Sequence, residues 1–428
     1  MDLKILAISL IYLFHVSASK HEKYTGYTLY NVEILSQEDN EYIKGLGDLL
    51  ELDVWQFGSP LAARDATIMV PPHNHDLFTK ALIDRGLKYS VKEADVVRAL
   101  SSFESDCSRW SKGRNNVQQP FTYYARLAEI NAYMERLAQQ YPNIVTLVNA
   151  GLSTEGRPIN YLKISNSNFE DPTKPIYFFD TTMHAREWVT TPVALYAVHK
   201  LVENLEEADR DLLENIDWII LPVLNPDGYE FSHTDDRMWR KNRSLNATLS
   251  ECYGVDLNRN FDIFFGDMNA SKDPCSGAYH GSGPFSEIES RHLRDILHTY
   301  LDRIQTYVNI HSFGNYVLYG FDNATLPVNV AQIHHVGALM GAHIDSLKLP
   351  VAYHYAVGNS KFVLYPASGT SQDYAQNLGV PFSLTLELPD FRYGFLVPPE
   401  YIPQINRETW AGIAASARAS VLFYRNRI

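Results

Sequence analysis

The chain has 428 residues and a formal net charge of −13, set by 50 acidic and 37 basic side chains. Its 45% hydrophobic and 20% charged residues are typical of a soluble globular protein and exclude a disordered, collagen-like or multi-span membrane chain. The acidic balance argues against nucleic acid as a partner, because most of the surface would repel a phosphate backbone. A chain of this length is expected to form two or three domains.

Residues 1–18 have the pattern of a secretory signal peptide. Lys4 precedes an apolar run over 5–16, and the small residues Ser17 and Ala18 follow that run. The run is too short to span a bilayer, and no later stretch reaches about 18 apolar residues. We therefore expect a secreted, extracellular protein with no membrane span. A buried N-terminal helix is the alternative interpretation of these residues.

Three cysteines suit an oxidising compartment but are too few for a disulfide scaffold. Cys252 and Cys275 bracket a short loop and are favoured as a bridge. Cys107 would then remain unpaired.

Residues 19–105 predict a small α/β domain. The alternating segment 27–34 and the apolar run 66–70 indicate two strands. The segment 76–85 indicates a helix that ends at Gly86.

Residues 106–119 are polar and contain Arg109, Lys112 and Arg114, a composition typical of a protease-accessible linker. A small domain joined to a large one in this way, in a secreted chain, indicates a pro-segment that a trypsin-like protease releases. A plain interdomain linker is the alternative.

Residues 120–428 predict one large α/β domain. Apolar residues at helical spacing between 127 and 137 indicate its first helix. Helical stretches at 192–204 and 287–300 lie between predicted strands, which implies crossover connections and a mixed, mostly parallel sheet flanked by helices. The strand-like runs are 144–148, 159–164, 176–179, 218–223, 306–310 and 382–386.

Reactive side chains follow three of these predicted strands. His184 and Glu187 follow the strand 176–179, His311 follows the strand 306–310, and Glu387 comes directly after the strand 382–386. Open α/β sheets bind ligands at the carboxyl ends of their strands. Imidazole and carboxylate groups are ligands of catalytic zinc, which keeps one position for water. The combination predicts a zinc site, although a single histidine is more often an ordinary core or surface residue.

Two basic groups stand out in this acidic chain. Arg186 and the segment 239–243 form one group, and Asn258-Arg259-Asn260 forms the other. Arginine presents a rigid fork that binds a carboxylate with two hydrogen bonds. Beside a metal centre, these groups indicate a pocket for the terminal carboxylate of a substrate. Solvated surface charge is the alternative for any one of them.

The domain over residues 120–428 carries these motifs in order: His184-Ala-Arg-Glu187-Trp188, Asn225-Pro-Asp-Gly228-Tyr229, Trp239-Arg-Lys-Asn-Arg243, Val255-Asp-Leu-Asn-Arg259-Asn260, Ile310-His-Ser312, Leu364-Tyr-Pro-Ala-Ser368-Gly, Leu386-Glu387-Leu and Arg392-Tyr-Gly-Phe395. In order and spacing they resemble the zinc metallocarboxypeptidases of the pancreatic procarboxypeptidase A/B type. The N-terminal unit resembles the inhibitory pro-domain of that family. The resemblance implies a secreted exopeptidase, made as a zymogen, that hydrolyses the C-terminal bond of peptides and proteins with a free C terminus. It also implies a trypsin-like protease as the activating partner.

The resemblance further implies a role for each matching residue. The His₂Glu group would hold one zinc ion, and Asp256 would orient His184 behind it. Glu387 would be the general base, and Arg243 would stabilise the oxyanion. The Cys252–Cys275 bridge fits the pattern of the family. The residues that would bind the peptide or its terminal carboxylate are Arg186, Arg240, Asn258, Arg259 and Tyr365.

The side-chain pocket departs from both classes of that family. Gln372 stands where A-type enzymes have an apolar residue and B-type enzymes have Asp, whereas Asp322 stands where the pancreatic types have a small residue. Ser360, another pocket position, is small and leaves room. Related regulatory carboxypeptidases that prefer basic residues resemble this combination. Since a buried carboxylate needs a cationic partner, the sequence favours C-terminal Lys or Arg.

Two alternatives remain open at this stage. If Asp322 lies in a surface loop, the pocket is uncharged and the preference is A-like, for aromatic or aliphatic residues. An inactive binding protein on the same fold is the more remote alternative, and such a chain would be expected to lose Glu387 or a metal ligand.

Overall fold

The computed structural model describes residues 20–112, 119–245 and 251–425, which form an N-terminal α/β unit and a larger C-terminal α/β unit. The predicted signal peptide, residues 1–18, lies outside these ranges. Within them, no helix is both long and apolar enough to cross a membrane.

The N-terminal unit is a four-stranded antiparallel sheet with its helices. The elements are β1 (Thr28–Val32), α1 (Gln37–Leu50), β2 (Asp53–Gln56), β3 (Ala66–Val70), α2 (His75–Arg85), β4 (Tyr89–Glu93) and α3 (Val96–Ser111). The strand order is β2-β3-β1-β4. Gly86 ends α2 at a φ of +77°, a left-handed conformation that glycine adopts readily. The two strands and the helix predicted here are confirmed, whereas β2 and β4, with four and five residues, are too short to give a clear signal in the sequence.

The helix α3 continues beyond the domain boundary predicted at residue 105. Phe103 is buried, and Cys107 and Trp110 pack against the same core of the C-terminal unit. These three residues recur at helical spacing, so they form one apolar stripe. The first part of the predicted linker, residues 106–111, is therefore helical and packs one face on the C-terminal core, whereas the use of 106–119 as an activation linker stays a prediction. Arg109 has 73% of its side chain exposed and Lys112 is exposed as well, whereas Arg114 lies outside the described residues.

The C-terminal unit is built on an eight-stranded mixed sheet. The strands are β5 (Val145–Leu152), β6 (Pro158–Ile164), β7 (Ile176–Thr181), β8 (Asp217–Leu221), β9 (Ile304–Ser312), β10 (Tyr316–Tyr319), β11 (Ala356–Asn359) and β12 (Phe382–Leu388). Their order is β11-β10-β12-β9-β7-β8-β6-β5. The four adjacent strands β12, β9, β7 and β8 are parallel to one another. The central strands β7, β8 and β9 are buried along their whole length, as strands covered on both faces must be.

Helices cover both faces of this sheet. They are α4 (Leu127–Gln140), α5 (Thr190–Val202), α6 (Arg210–Asn215), α7 (Pro226–Thr234), α8 (Ile288–Tyr300), α9 (Val330–Leu347), α10 (Ser360–Val363), α11 (Ser371–Leu378) and α12 (Ile402–Arg425). One apolar cluster packs α4, α5, α9 and α12 on one face, and a second packs α8 and α11 on the other. The predicted fold class, a mixed and mostly parallel sheet flanked by helices and preceded by a small α/β domain, is confirmed.

The register of the sheet brings the reactive residues to one edge. Glu387 on β12 is the direct neighbour of His311 on β9. Thr181, the last residue of β7, pairs with Ile310 on β9. Because β7, β9 and β12 are parallel, the segment after β7 that carries His184 and Glu187 meets the ends of the other two strands.

Candidate active site

Two histidines and a glutamate converge beyond the ends of β7 and β9. Their ligand atoms all lie within 4.8 Å of one another, and all three residues are buried. The Nδ1 atoms of His184 and His311 lie 2.7 and 2.9 Å from the two carboxylate oxygens of Glu187. Two imidazole nitrogens and one carboxylate are the donor set of a catalytic zinc site. The group of His184, Glu187 and His311 therefore fits one zinc ion.

Asp256 forms a hydrogen bond with His184 of this group, and Arg240 forms one with Asp256. The Nε2–H of His184 donates to the Asp256 carboxylate at 3.0 Å, which leaves Nδ1 of His184 free for a metal. Arg240 donates to the second oxygen of Asp256 at 2.8 Å. Burial alone would raise the pKa of Asp256, but Arg240 and His184 hold that pKa well below its usual range. Asp256 therefore stays ionised and fixes the orientation of His184.

Glu387 lies in the same cleft as the metal ligands. Burial, reinforced by the negative charge of Glu187, raises the pKa of Glu387 well above its usual range. A carboxylate with a raised pKa beside a metal is suited to take a proton from water and to return it later.

Arg243 does not lie at the metal group, which contradicts the role expected from the sequence. Its guanidinium stacks on Phe231, Trp239 and Tyr253, at 3.7, 4.5 and 4.6 Å from the ring centres. Arg240 instead lines the cleft, with its guanidinium 3.7 Å from the Glu187 carboxylate. The segment that carries both arginines is not helical, so residues three apart do not share a face, and Arg243 packs among the aromatic rings instead of lining the cleft.

Asn258, Arg259 and Tyr365 line the same cleft. The side-chain oxygen of Asn258 accepts a hydrogen bond from the backbone of Ser371 at 3.0 Å. Arg259 donates to the backbone carbonyls of Asn258 and Asn269, each at 2.8 Å. Because these bonds use only part of its guanidinium, Arg259 keeps N–H donors that could bind a carboxylate.

The cleft also contains the residues expected in the side-chain pocket. Asp322 is buried, and its carboxylate accepts hydrogen bonds from the Thr370 hydroxyl at 3.0 Å and the Gln372 amide at 3.2 Å. The same amide nitrogen donates to the Ser360 hydroxyl at 3.0 Å. Burial raises the pKa of Asp322. Burial and the negative charge of Asp322 together raise the pKa of the adjacent Asp373 well above its usual range. Asp322 is therefore not in an exposed surface loop, which removes the basis given above for an uncharged pocket.

The N-terminal unit covers this cleft, which has a volume of about 1060 Å³. Asp53 on β2 binds one guanidinium nitrogen of Arg186 with both carboxylate oxygens, at 3.0 and 2.7 Å. Trp55 packs on Phe395 with 5.3 Å between ring centres, and Arg186 lies 4.3 Å from the same Phe395 ring. The N-terminal unit thus occupies an arginine expected to bind the substrate. Neither Asp53 nor Trp55 is predictable as a site residue from the sequence, because the short strand that carries them has no distinctive pattern.

Cys252 and Cys275 form the disulfide that the sequence favours. Cys107 is a partly buried free thiol, and burial raises its pKa to about 12. The thiol is therefore protonated at neutral pH and unreactive.

Two family models match the chain, one in each unit. The model described as "Zinc carboxypeptidase" matches residues 130–412, which is more than half of the chain. The model described as "Carboxypeptidase activation peptide" matches residues 30–102. The matches therefore cover both the unit with the metal ligands and the unit above the cleft.

Relatives of both specificity types align with nearly the whole chain. Carboxypeptidase B of Helicoverpa zea is 41% identical over 418 residues, which are 95% of this chain and 96% of the relative. Carboxypeptidase A2 of Mus musculus is 36% identical over 386 residues, which are 88% and 90% of the two chains. The crystal structure of carboxypeptidase A from Helicoverpa armigera matches with a TM-score of 0.89 at 40% identity, over 93% of this chain and 98% of the other. Since the relatives include A and B types, they do not determine the preferred side chain.

Proposed function

The chain belongs to the zinc carboxypeptidase family and carries its activation peptide, and we propose that the activated enzyme removes C-terminal Lys and Arg residues from peptides and proteins. The observation that supports this preference is the buried carboxylate of Asp322 in the cleft. Its side-chain partners Thr370 and Gln372 are neutral, and no basic group among the described residues forms an ion pair with it. A buried charge without a partner is costly, so a cationic substrate side chain supplies the missing partner.

Each step of hydrolysis has a residue suited to it. Zinc, when bound, acts as a Lewis acid that polarises the substrate carbonyl and lowers the pKa of water. Glu387 takes a proton from the attacking water and passes a proton to the leaving amine. Arg240 stabilises the negative charge that develops on the carbonyl oxygen. Asn258, Arg259 and Tyr365 bind the terminal carboxylate, which restricts cleavage to the last residue of a peptide.

An A-like preference for aromatic or aliphatic residues is the second candidate. Burial raises the pKa of both Asp322 and Asp373, and a protonated pair would make the pocket neutral. The two candidates differ in one respect that can be measured. Only the basic preference depends on the charge of Asp322.

Asp322→Asn is expected to lower kcat/KM for a blocked dipeptide ending in Arg by about 100-fold, because removing one partner of a buried charge pair costs about 2–5 kcal/mol. Cleavage of the matched dipeptide ending in Leu should not fall, since Asn keeps the shape of Asp. The measurement compares dipeptides ending in Arg, Phe and Leu on trypsin-activated protein, with and without a zinc chelator. Ser360→Ala is the matched control, since it alters a neutral residue of the same pocket and should keep the Arg preference.

The outcomes separate the candidate functions. A preference for Phe or Leu that Asp322→Asn leaves unchanged would establish the A-like alternative. A zinc-loaded, activated protein with no activity on any of the dipeptides would instead favour the inactive binding protein.

We further propose that the activation peptide keeps the secreted chain inactive until a trypsin-like protease cuts between the two units. The ion pair between Asp53 and Arg186 and the position of Trp55 above the cleft support this inhibition. The exposed side chain of Arg109 supports access for the protease at the end of α3. The signal-peptide pattern of residues 1–18 supports secretion into the extracellular space.

Limited trypsin treatment is expected to release a fragment that ends near residues 109–114 and to raise activity at least about 10-fold, which corresponds to the loss of about 1.4 kcal/mol of inhibitory binding. Because α3 packs on the C-terminal core, activity is measured after the two fragments have been separated. Mass spectrometry of the fragments identifies the bond that is cut. Full activity in the intact chain would contradict the inhibitory role.

A further inference from the structure

A chain of buried hydrogen bonds links the metal ligand His311 to an aspartate on the next strand. Tyr307, Asn309 and His311 share one face of β9, because alternate residues of a strand point the same way. Asn309 is the register partner of Asp180 on β7. The Asp180 carboxylate accepts a hydrogen bond from the Tyr307 hydroxyl at 2.6 Å and from the Asn309 amide at 2.8 Å. All four residues are buried.

The bond to Asp180 determines how the side-chain amide of Asn309 is turned. A carboxylate only accepts hydrogen bonds, so the NH₂ group of Asn309 faces Asp180 and its oxygen faces Nε2 of His311, with which it is in close contact. Nε2 of His311 therefore carries the proton and donates it to Asn309. Nδ1, which points at Glu187, keeps its lone pair for a metal.

A second amide also approaches the same imidazole nitrogen. The Nδ2 atom of Asn258 lies 3.4 Å from Nε2 of His311 and would favour the opposite tautomer if it donated there. That distance exceeds the usual range of an N–H hydrogen bond, about 2.7–3.2 Å. The closer contact with Asn309 therefore determines the tautomer.

We propose that Asp180 and Asn309 are positioning residues of the zinc site, which hold His311 in the tautomer whose Nδ1 binds the metal. Asp256 fixes the tautomer of His184 directly, because its own carboxylate accepts the hydrogen bond from Nε2–H of His184. His311 reaches its carboxylate through an interposed amide, so turning that amide reverses the effect. The proposal depends on the metal ligands alone and is independent of the side chain that the enzyme prefers.

Three substitutions in the intact chain test this role. Asp180→Asn replaces the carboxylate by an amide that can face Asn309 with either its oxygen or its NH₂ group, so the Asn309 oxygen is no longer held towards His311, and zinc affinity should fall about 10-fold or more. Asn309→Ala only removes the acceptor for Nε2–H of His311 and should lower zinc affinity about 10-fold. Tyr307→Phe removes the other hydrogen bond of Asp180 without turning the amide, and it should leave zinc affinity unchanged.

Zinc dissociation constants are measured by competition with a chromogenic chelator at pH 8, above the pKa of about 7 to which burial raises Asp180. Thermal unfolding with and without zinc separates positioning from a structural role. Asn309→Ala should shrink the zinc-induced rise in the unfolding temperature, whereas Tyr307→Phe should lower the zinc-free and zinc-loaded temperatures equally. In the zinc-loaded protein, the Nε2–H proton of His311 should give a low-field resonance that Asn309→Ala lacks.

Wild-type zinc affinity in Asn309→Ala would overturn the proposal. Equal losses of affinity in Asn309→Ala and Tyr307→Phe would also overturn it, because the network would then only support the fold. If Asp180→Asn does not fold, the comparison of the other two variants still decides the question.

Discussion

Glu387→Gln is expected to lower kcat by about 1000-fold while zinc remains bound, because general acid–base catalysis contributes about 10²–10⁴-fold and an amide cannot accept the proton. Glu387 is the strand neighbour of His311 but is not one of the three metal ligands. The substitution therefore removes a proton acceptor without removing a ligand. The measurement combines steady-state kinetics on activated protein with the zinc content of the same sample.

Stability supplies the first control for this variant. Burial raises the pKa of Glu387, so a neutral Gln at this position should not lower the unfolding temperature. Glu408→Gln is the matched control, because Glu408 is a second buried glutamate whose pKa burial raises to about 7, on a helix that does not line the cleft. Glu408→Gln should keep full activity. Activity near that of the wild type in zinc-loaded Glu387→Gln would show that another group takes the proton.

The sequence predicts the metal ligands well because their positions follow from the fold. The strands β7, β9 and β12 are almost entirely buried and contain many aromatic and β-branched residues, and the carboxyl ends of parallel strands meet at one edge of a sheet. His184, His311 and Glu387 each stand at or just after such an end. A sequence pattern that identifies the strands therefore also predicts that these three side chains lie close together.

Contacts between the two units could not be predicted in the same way. The strand that carries Asp53 has four residues, too few for a periodic signal, and its function depends on a partner more than 130 positions away in the chain. Cys107 and Trp110 lie in a segment whose polar composition predicts a linker, and their apolar stripe is recognisable only once the helix and the core it packs on are known. Pairings between distant segments depend on packing that local composition does not contain.

The side-chain directions of the two arginines in the segment 239–243 could not be predicted from the sequence either. Motif matching identifies the segment but not the direction of each side chain, because the segment is irregular. Arg243 is surrounded by aromatic rings, and Arg240 lies beside Asp256 and Glu187. A difference of three positions therefore separates a residue of the cleft from a residue of the surrounding packing.

Arg240→Ala is accordingly expected to lower kcat by about 100-fold or more, the loss typical of removing one group that stabilises an oxyanion. Arg240 also holds Asp256, which orients His184, so the variant is assayed at saturating zinc and its bound zinc is measured. A loss of kcat that persists with zinc fully bound reports on charge stabilisation and not on metal affinity. KM should change little, because the developing charge exists only in the transition state.

Arg243→Ala is the matched comparison, since it removes the same side chain three residues later. It should keep kcat near the wild-type value, because Arg243 stacks on aromatic rings and does not itself line the cleft. Its effect should fall on stability instead, by about 1–2 kcal/mol, since a cation over an aromatic ring contributes about 0.5–1 kcal/mol and Phe231, Trp239 and Tyr253 all contact it. The opposite pattern, with activity lost in Arg243→Ala and kept in Arg240→Ala, would return the oxyanion role to the residue that the family resemblance first indicated. In that case the aromatic rings would have to release Arg243 when the substrate binds.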